Sequence, residues 1–122
     1  RQMCISDSDW FEVVAAGSIV PHKKPAPDIY NYVLRKMGLT AADCLALEDS
    51  ENGLRAARAA GVEALITVNP YTDRQDFSAA AAVLDHLGDP GNPCHLLQGR
   101  LQPGPFVDTE YLRRLHVLCQ ES

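Results

Sequence analysis

CLALEDSENGLRAARAAGVEALITV, residues 44–68, decides the fold. Cys44-Leu45-Ala46-Leu47 is a continuous apolar run of the kind found in a strand covered on both faces. It stops abruptly at Glu48-Asp49-Ser50. A helix is expected from about Glu51 to Ala60, ended by Gly61, with an inward side of small residues (Gly53, Ala56, Ala57, Ala60) that lets it lie close on a sheet. Ala64-Leu65-Ile66-Thr67-Val68 then reads as a second strand. Strand, about ten residues of helix and strand make a βαβ unit, so the two strands are expected to be parallel.

Working outward, Ser18 to Pro27 holds Pro21, Pro25 and Pro27 beside Lys23 and Lys24, and reads as a loop. Asp28 opens a helix near the positive end of its dipole. Ile29, Tyr30, Val33, Leu34 and Met37 form its buried stripe, and Gly38 stands where a left-handed terminal residue is wanted. Trp10-Phe11-Glu12-Val13-Val14 leans toward strand, whereas Arg1 to Ser8 shows no periodicity. Ser78 to Leu87 fits either a helix by propensity or an edge strand at Ala82-Val83-Leu84. Asp89 to Pro105 is rich in Gly and Pro. Asp108 is a credible N-cap for a last helix with a Tyr111, Leu112, Leu115, Leu118, Cys119 stripe. The organisation expected is therefore a core over 1–88, a linker over 89–107 and an amphipathic helix over 108–122.

Composition bounds the function. The 122 residues are 46% hydrophobic and 22% charged, ordinary for one globular domain. A net charge of −5 argues against a general nucleic-acid or anionic-membrane binder, though a local cation can still hold a phosphate. No apolar run approaches the roughly 18 residues of a membrane helix. Cys4, Cys44, Cys94 and Cys119 are dispersed without a C-x-x-C pair, so a reducing cytoplasm is the expected setting. Arg1 opens the chain where Met would be expected, and the sequence reads as a piece of something longer.

Two signals carry chemistry. Glu48 and Asp49 follow an apolar strand directly, at the carboxyl edge where open α/β sheets place ligands. Neighbouring carboxylates repel and lose hydration there, and a hard divalent cation such as Mg²⁺ relieves both costs. A solvated strand end whose Asp49 or Ser50 caps the next helix is the plainer alternative. Lys24 precedes Pro25, which restricts its backbone. A lysine near a carboxylate metal site is what phosphoryl chemistry requires, because negative charge on the transferring group must meet fixed cations. Otherwise it is one more solvated loop lysine.

Lys23-Lys24-Pro25-Ala26-Pro27-Asp28-Ile29-Tyr30 and Leu47-Glu48-Asp49-Ser50-Glu51-Asn52-Gly53-Leu54-Arg55-Ala56-Ala57 resemble the third and fourth motifs of the haloacid dehalogenase superfamily, in its CbbY-like and β-phosphoglucomutase-like branch. About 24 residues separate Lys24 from Glu48. The resemblance covers about residues 10 to 87, and Leu112-Arg113-Arg114-Leu115-His116 is similar as well. It implies an α/β fold: part of a Rossmann-like three-layer core with parallel strands, lacking the N-terminal central strand and the helical cap. It also implies that Lys24 is catalytic, holding the phosphoryl group, that Glu48 and Asp49 bind Mg²⁺, and that the complete enzyme is a phosphatase, or a mutase, of phosphorylated sugars.

Such enzymes use an aspartate nucleophile from a D-x-D-x-[TV] strand. Asp7-Ser8-Asp9 is the nearest match here, but Met3-Cys4-Ile5-Ser6 before it is too short for a central strand and Trp10-Phe11 follows. It reads as a decoy, so the chain alone is expected to be inactive. A non-catalytic module that binds Mg²⁺ or phosphate, or serves association, is the rival. Without the central strand, Cys44–Leu47 would expose an unpaired edge open to self-association. Ser50 and Asn52 could support the site or merely cap the helix. Asn69 and Thr72 share the carboxyl edge, and His22 and the Cys94-His95 pair are weaker candidates.

Overall fold

The computed structural model describes residues 2–6, 12–15 and 21–121. Among the described residues six strands form one sheet: β1 (Gln2–Ser6), β2 (Glu12–Ala15), β3 (Cys44–Glu48), β4 (Glu63–Thr67), β5 (Ala82–Leu84) and β6 (Leu96–Gly99). Their spatial order is β2-β1-β3-β4-β5-β6. The helices are α1 (Asp28–Met37), α2 (Glu51–Ala59) and α3 (Thr109–Gln120). As the apolar runs indicate, β3 and β4 are parallel and joined by α2, and β4 and β5 are parallel too.

Alternation along the strands builds two cores. Cys44, Ala46, Ala64, Ile66 and Val83 point to one face, where they pack with Ile29, Tyr30 and Val33 of α1 and Leu54, Ala56 and Ala57 of α2. Leu45, Leu65, Ala82 and Leu84 point to the other and meet Tyr111, Leu112 and Leu115 of α3. Each fully buried leucine or isoleucine in these layers contributes roughly 1.5–3 kcal/mol. The result is helix, sheet and helix in three layers.

The helix ends follow their residues. Gly38 takes φ +65° and closes α1, its N–H turned back to the Arg35 carbonyl. Asp108 caps α3 by accepting from the Tyr111 N–H at 2.8 Å. The buried His116 donates from Nε2 to the Ala42 carbonyl at 2.7 Å, tying α3 to the short turn that enters β3. Met37, expected in the buried stripe of α1, is 42% exposed at its last turn.

Four expectations change. Gln2–Ser6, in a stretch read as aperiodic and, at Met3–Ser6, as too short for a central strand, pairs antiparallel with both β2 and β3. The backbone groups along the flank of β3 need partners, and a short antiparallel hairpin meets that need irrespective of side-chain pattern. The unpaired edge at Cys44–Leu47 is therefore absent: β1 stands where an open strand flank was expected. Ala82–Leu84 is a strand, but an interior one, fully buried between β4 and β6. The Gly/Pro-rich stretch 89–107 contains β6, antiparallel to β5.

Candidate active site

Glu48 ends β3 on the side of Cys44 and Ala46, which turns its carboxylate toward α1 and α2. Its side chain is only 3% exposed. Three elements converge on it. The Lys24 ammonium, from the loop before α1, lies 3.0 Å from both carboxylate oxygens. The Tyr30 hydroxyl, on the first turn of α1, donates to Glu48 Oε2. From α2, Gly53 presents a bare Cα: a Cβ there would stand 2.5 Å from the Glu48 carboxyl carbon. A buried carboxylate is tolerable only when paired and hydrogen-bonded, and here both conditions hold.

Lys24 and Glu48, 24 positions apart, are thus brought together as expected. Asp49 follows immediately beyond the end of β3 and is exposed. Among the described residues no hydrogen bond or ion pair engages its carboxylate. Ser50 is the N-cap of α2, its Oγ accepting from the Gly53 N–H at 3.1 Å. Asn52 is exposed on the first turn of that helix. Asp7-Ser8-Asp9 lies outside the described residues.

The weaker candidates have local duties. Asn69 and Thr72 close a turn after β4, the Asn69 N–H donating to Thr72 Oγ1 at 3.1 Å and the Tyr71 N–H to Asn69 Oδ1 at 2.8 Å. The Glu51 N–H donates to Gln75 Oε1 at 2.7 Å and the Asp76 N–H to Glu51 Oε1 at 3.1 Å, fastening the same loop to the start of α2. His22 pairs with Asp28 at 2.9 Å. His95 Nδ1 lies 2.8 Å from Asp85 Oδ2, while burial pushes the neighbouring Cys94 thiol up.

Sequence reasoning placed Tyr30 only in the core and gave Gly53 only a packing role. The signal for Tyr30 was available: a buried phenol needs a hydrogen-bond partner, and a phenylalanine would have filled a purely apolar slot. The signal for Gly53 was its position three residues into a helix directly after the acidic pair.

Two hard oxygen donors at this edge fit Mg²⁺, which commonly takes one or two protein carboxylates and completes its shell with water and phosphate oxygens. Asp49 meets this requirement from an exposed position. Glu48 meets it only with oxygens that Lys24 and Tyr30 already share. Among the described residues no group of three or more His, Cys, Asp or Glu side chains is arranged to hold a metal.

The haloacid dehalogenase-like hydrolase family matches residues 5–61, which carry this lysine, glutamate and aspartate. Over these residues the chain resembles the haloacid dehalogenase-like hydrolases. It is 48% identical over 89 residues to the plasmid-borne protein CbbY of Cupriavidus necator, covering 70% of this chain and 35% of that protein. It is 56% identical over 72 residues to protein CbbY of Rhodobacter capsulatus, covering 59% and 32% respectively. The crystal structure of CbbY from Rhodobacter sphaeroides in complex with phosphate superposes with a TM-score of 0.57 at 45% identity, over 60% of this chain and 32% of that one. The haloacid dehalogenase-like segment thus spans about a third of the length of these relatives. Among the described residues no helix is long and apolar enough to cross a membrane.

Proposed function

We propose that this chain is the carboxyl-terminal part of the core of a Mg²⁺-dependent phosphatase of the haloacid dehalogenase type that acts on phosphorylated sugars. The observation that carries the reading is the convergence of Lys24 on Glu48, with Asp49 next in sequence at the carboxyl edge of β3. The relatives lean the same way: the fructose-1-phosphate phosphatase YqaB of Escherichia coli is 41% identical over 56 residues, and CbbY of Rhodobacter sphaeroides has been crystallised with phosphate and, as a point mutant, with xylulose-1,5-bisphosphate.

In this reading the Lys24 ammonium meets the phosphoryl oxygens, and its charge neutralises what develops on the transferring group. Glu48 keeps that ammonium at the edge of the sheet and tethers it from the buried side. Asp49, together with Glu48, would hold Mg²⁺; the ion, when bound, supplies further neutralisation of phosphate charge. The nucleophile is not assigned to any described residue, and the chain by itself is expected to bind phosphate without turning it over.

The test is a thermal-shift titration with inorganic phosphate and MgCl₂, paired with a p-nitrophenyl phosphate assay. The native chain should be stabilised by phosphate with Mg²⁺, Lys24→Met should lose that stabilisation, and neither should hydrolyse the ester. An equal shift in Lys24→Met removes the lysine from the site. Turnover abolished by Asp7→Ala or Asp9→Ala would assign the nucleophile to that pair.

A further inference from the structure

Glu48 has more donors than an ion pair needs. Lys24 reaches both carboxylate oxygens at 3.0 Å, and Tyr30 donates to Oε2 from a side chain that is wholly buried. The two donors differ in freedom. Tyr30 is fixed in the core by α1, packed among Ile29, Val33 and the α2 face. Lys24 sits on a loop, its side chain 22% exposed, on a long flexible stem that can turn toward solvent. Any anion that attracts the ammonium draws it away from Glu48. A carboxylate that is 3% exposed cannot then recruit water freely, and each donor it loses is costly.

We propose that Tyr30 is a positioning residue: its phenol keeps Glu48 satisfied while the Lys24 ammonium is shared with a phosphate. The inference rests on the reading of Lys24 as the phosphate-facing cation and adds a residue to that machinery. Tyr30 acts through Glu48. It lowers the penalty of moving the ammonium, so a phenylalanine at this position, which fills the same volume, should leave Lys24 more tightly retained by the acid.

Two measurements separate this from a plain packing role. The first is a double-mutant cycle on urea stability with Tyr30→Phe, Lys24→Met and the double variant. If the two donors back each other up, removing the hydroxyl costs clearly more in the Lys24→Met background than in the native chain. Additive effects would overturn the proposal. Should the double variant not fold, Glu48→Gln supplies the converse background: Tyr30→Phe should cost less there than in the native chain, and an equal cost overturns it.

The second is the phosphate thermal shift. Tyr30→Phe should weaken phosphate affinity by roughly tenfold, the scale of one charge-assisted hydrogen bond. Val33→Ala, a core truncation on the same helix, should lower the melting temperature and leave phosphate affinity alone. Unchanged affinity in Tyr30→Phe, or an equal loss in Val33→Ala, counts against the phenol. If the native chain shows no phosphate shift, the reading of Lys24 fails, and the cycle alone then decides whether Tyr30 backs up the ion pair.

Discussion

Gly53→Ala is the sharpest probe of how the acid is seated. In an ordinary helix this substitution stabilises by about 0.5–1 kcal/mol, because glycine loses the most backbone freedom on folding. Here the new methyl would stand 2.5 Å from the Glu48 carboxyl carbon and closer still to Oε1, so the carboxylate must retreat by about 1 Å to reach ordinary contact. Lys24 and Tyr30 hold it on the other sides. Overpacking of this kind costs about 1–3 kcal/mol. Losing one partner of a buried ion pair costs about 3–5 kcal/mol, and a partial displacement forfeits only part of that. Set against the helix gain, the net is a destabilisation of about 2–3 kcal/mol. For a chain of this size 1 kcal/mol moves the melting temperature by roughly 4 °C, so a fall of about 10 °C is expected. Calorimetry or a urea titration reads it directly. A variant as stable as the native chain, or more so, would show that the carboxylate does not rest on Gly53 and would undo the geometry on which the site is built.

Other expectations follow from the same contacts. Asp49→Asn should abolish Mg²⁺-induced stabilisation while changing intrinsic stability by no more than about 0.5 kcal/mol, as for most exposed positions; an undiminished Mg²⁺ response excludes Asp49 as a ligand. Asp85 is held down to about 2, chiefly by the His95 backbone N–H and also by the His95 side chain and the His86 N–H. Its contribution to stability is complete above the ordinary value of 3.8 and drains away as pH falls toward 2, so Asp85→Asn should flatten the acid limb of a pH–stability curve in that window. An unaltered limb would show that these donors do not select the ionised form. Ser50→Ala should cost about 1 kcal/mol through loss of the α2 cap, and Ser50→Asn should restore most of it, both read from urea midpoints.

The sequence was most legible where chemistry and periodicity coincide. The run Cys44–Leu47, the small-faced helix and Ala64–Val68 could only be parallel strands bridged by a helix, and the acidic stop at residue 48 located the edge that matters. The two motifs pair Lys24 with Glu48, and the ammonium stands 3.0 Å from both carboxylate oxygens. Tyr30 escaped because a hydrophobic stripe reports that a ring is buried and says nothing of where its oxygen points. Gly53 escaped because its value lies in an atom it lacks. The hairpin at the beginning was invisible for another reason: β1 is recruited by the backbone of β3, forty residues later, and a short stretch of mixed polarity carries no record of a distant partner. Residue 82 to 84 was balanced between helix and strand until its neighbours on both sides decided for strand.

Parity governs the whole arrangement. Cys44, Ala46 and Glu48 look one way along β3 and Leu45 looks the other. Because the pleat repeats every two residues, inserting or deleting a single amino acid inside this strand would send the acid to the wrong side of the sheet, among the leucines beneath α3, while leaving every motif intact on paper. Homologous chains can therefore exchange one small apolar residue for another at 44 or 46 with modest loss. They cannot change the count between the turn at Ala41–Asp43 and the acid without dismantling the lysine's anchor.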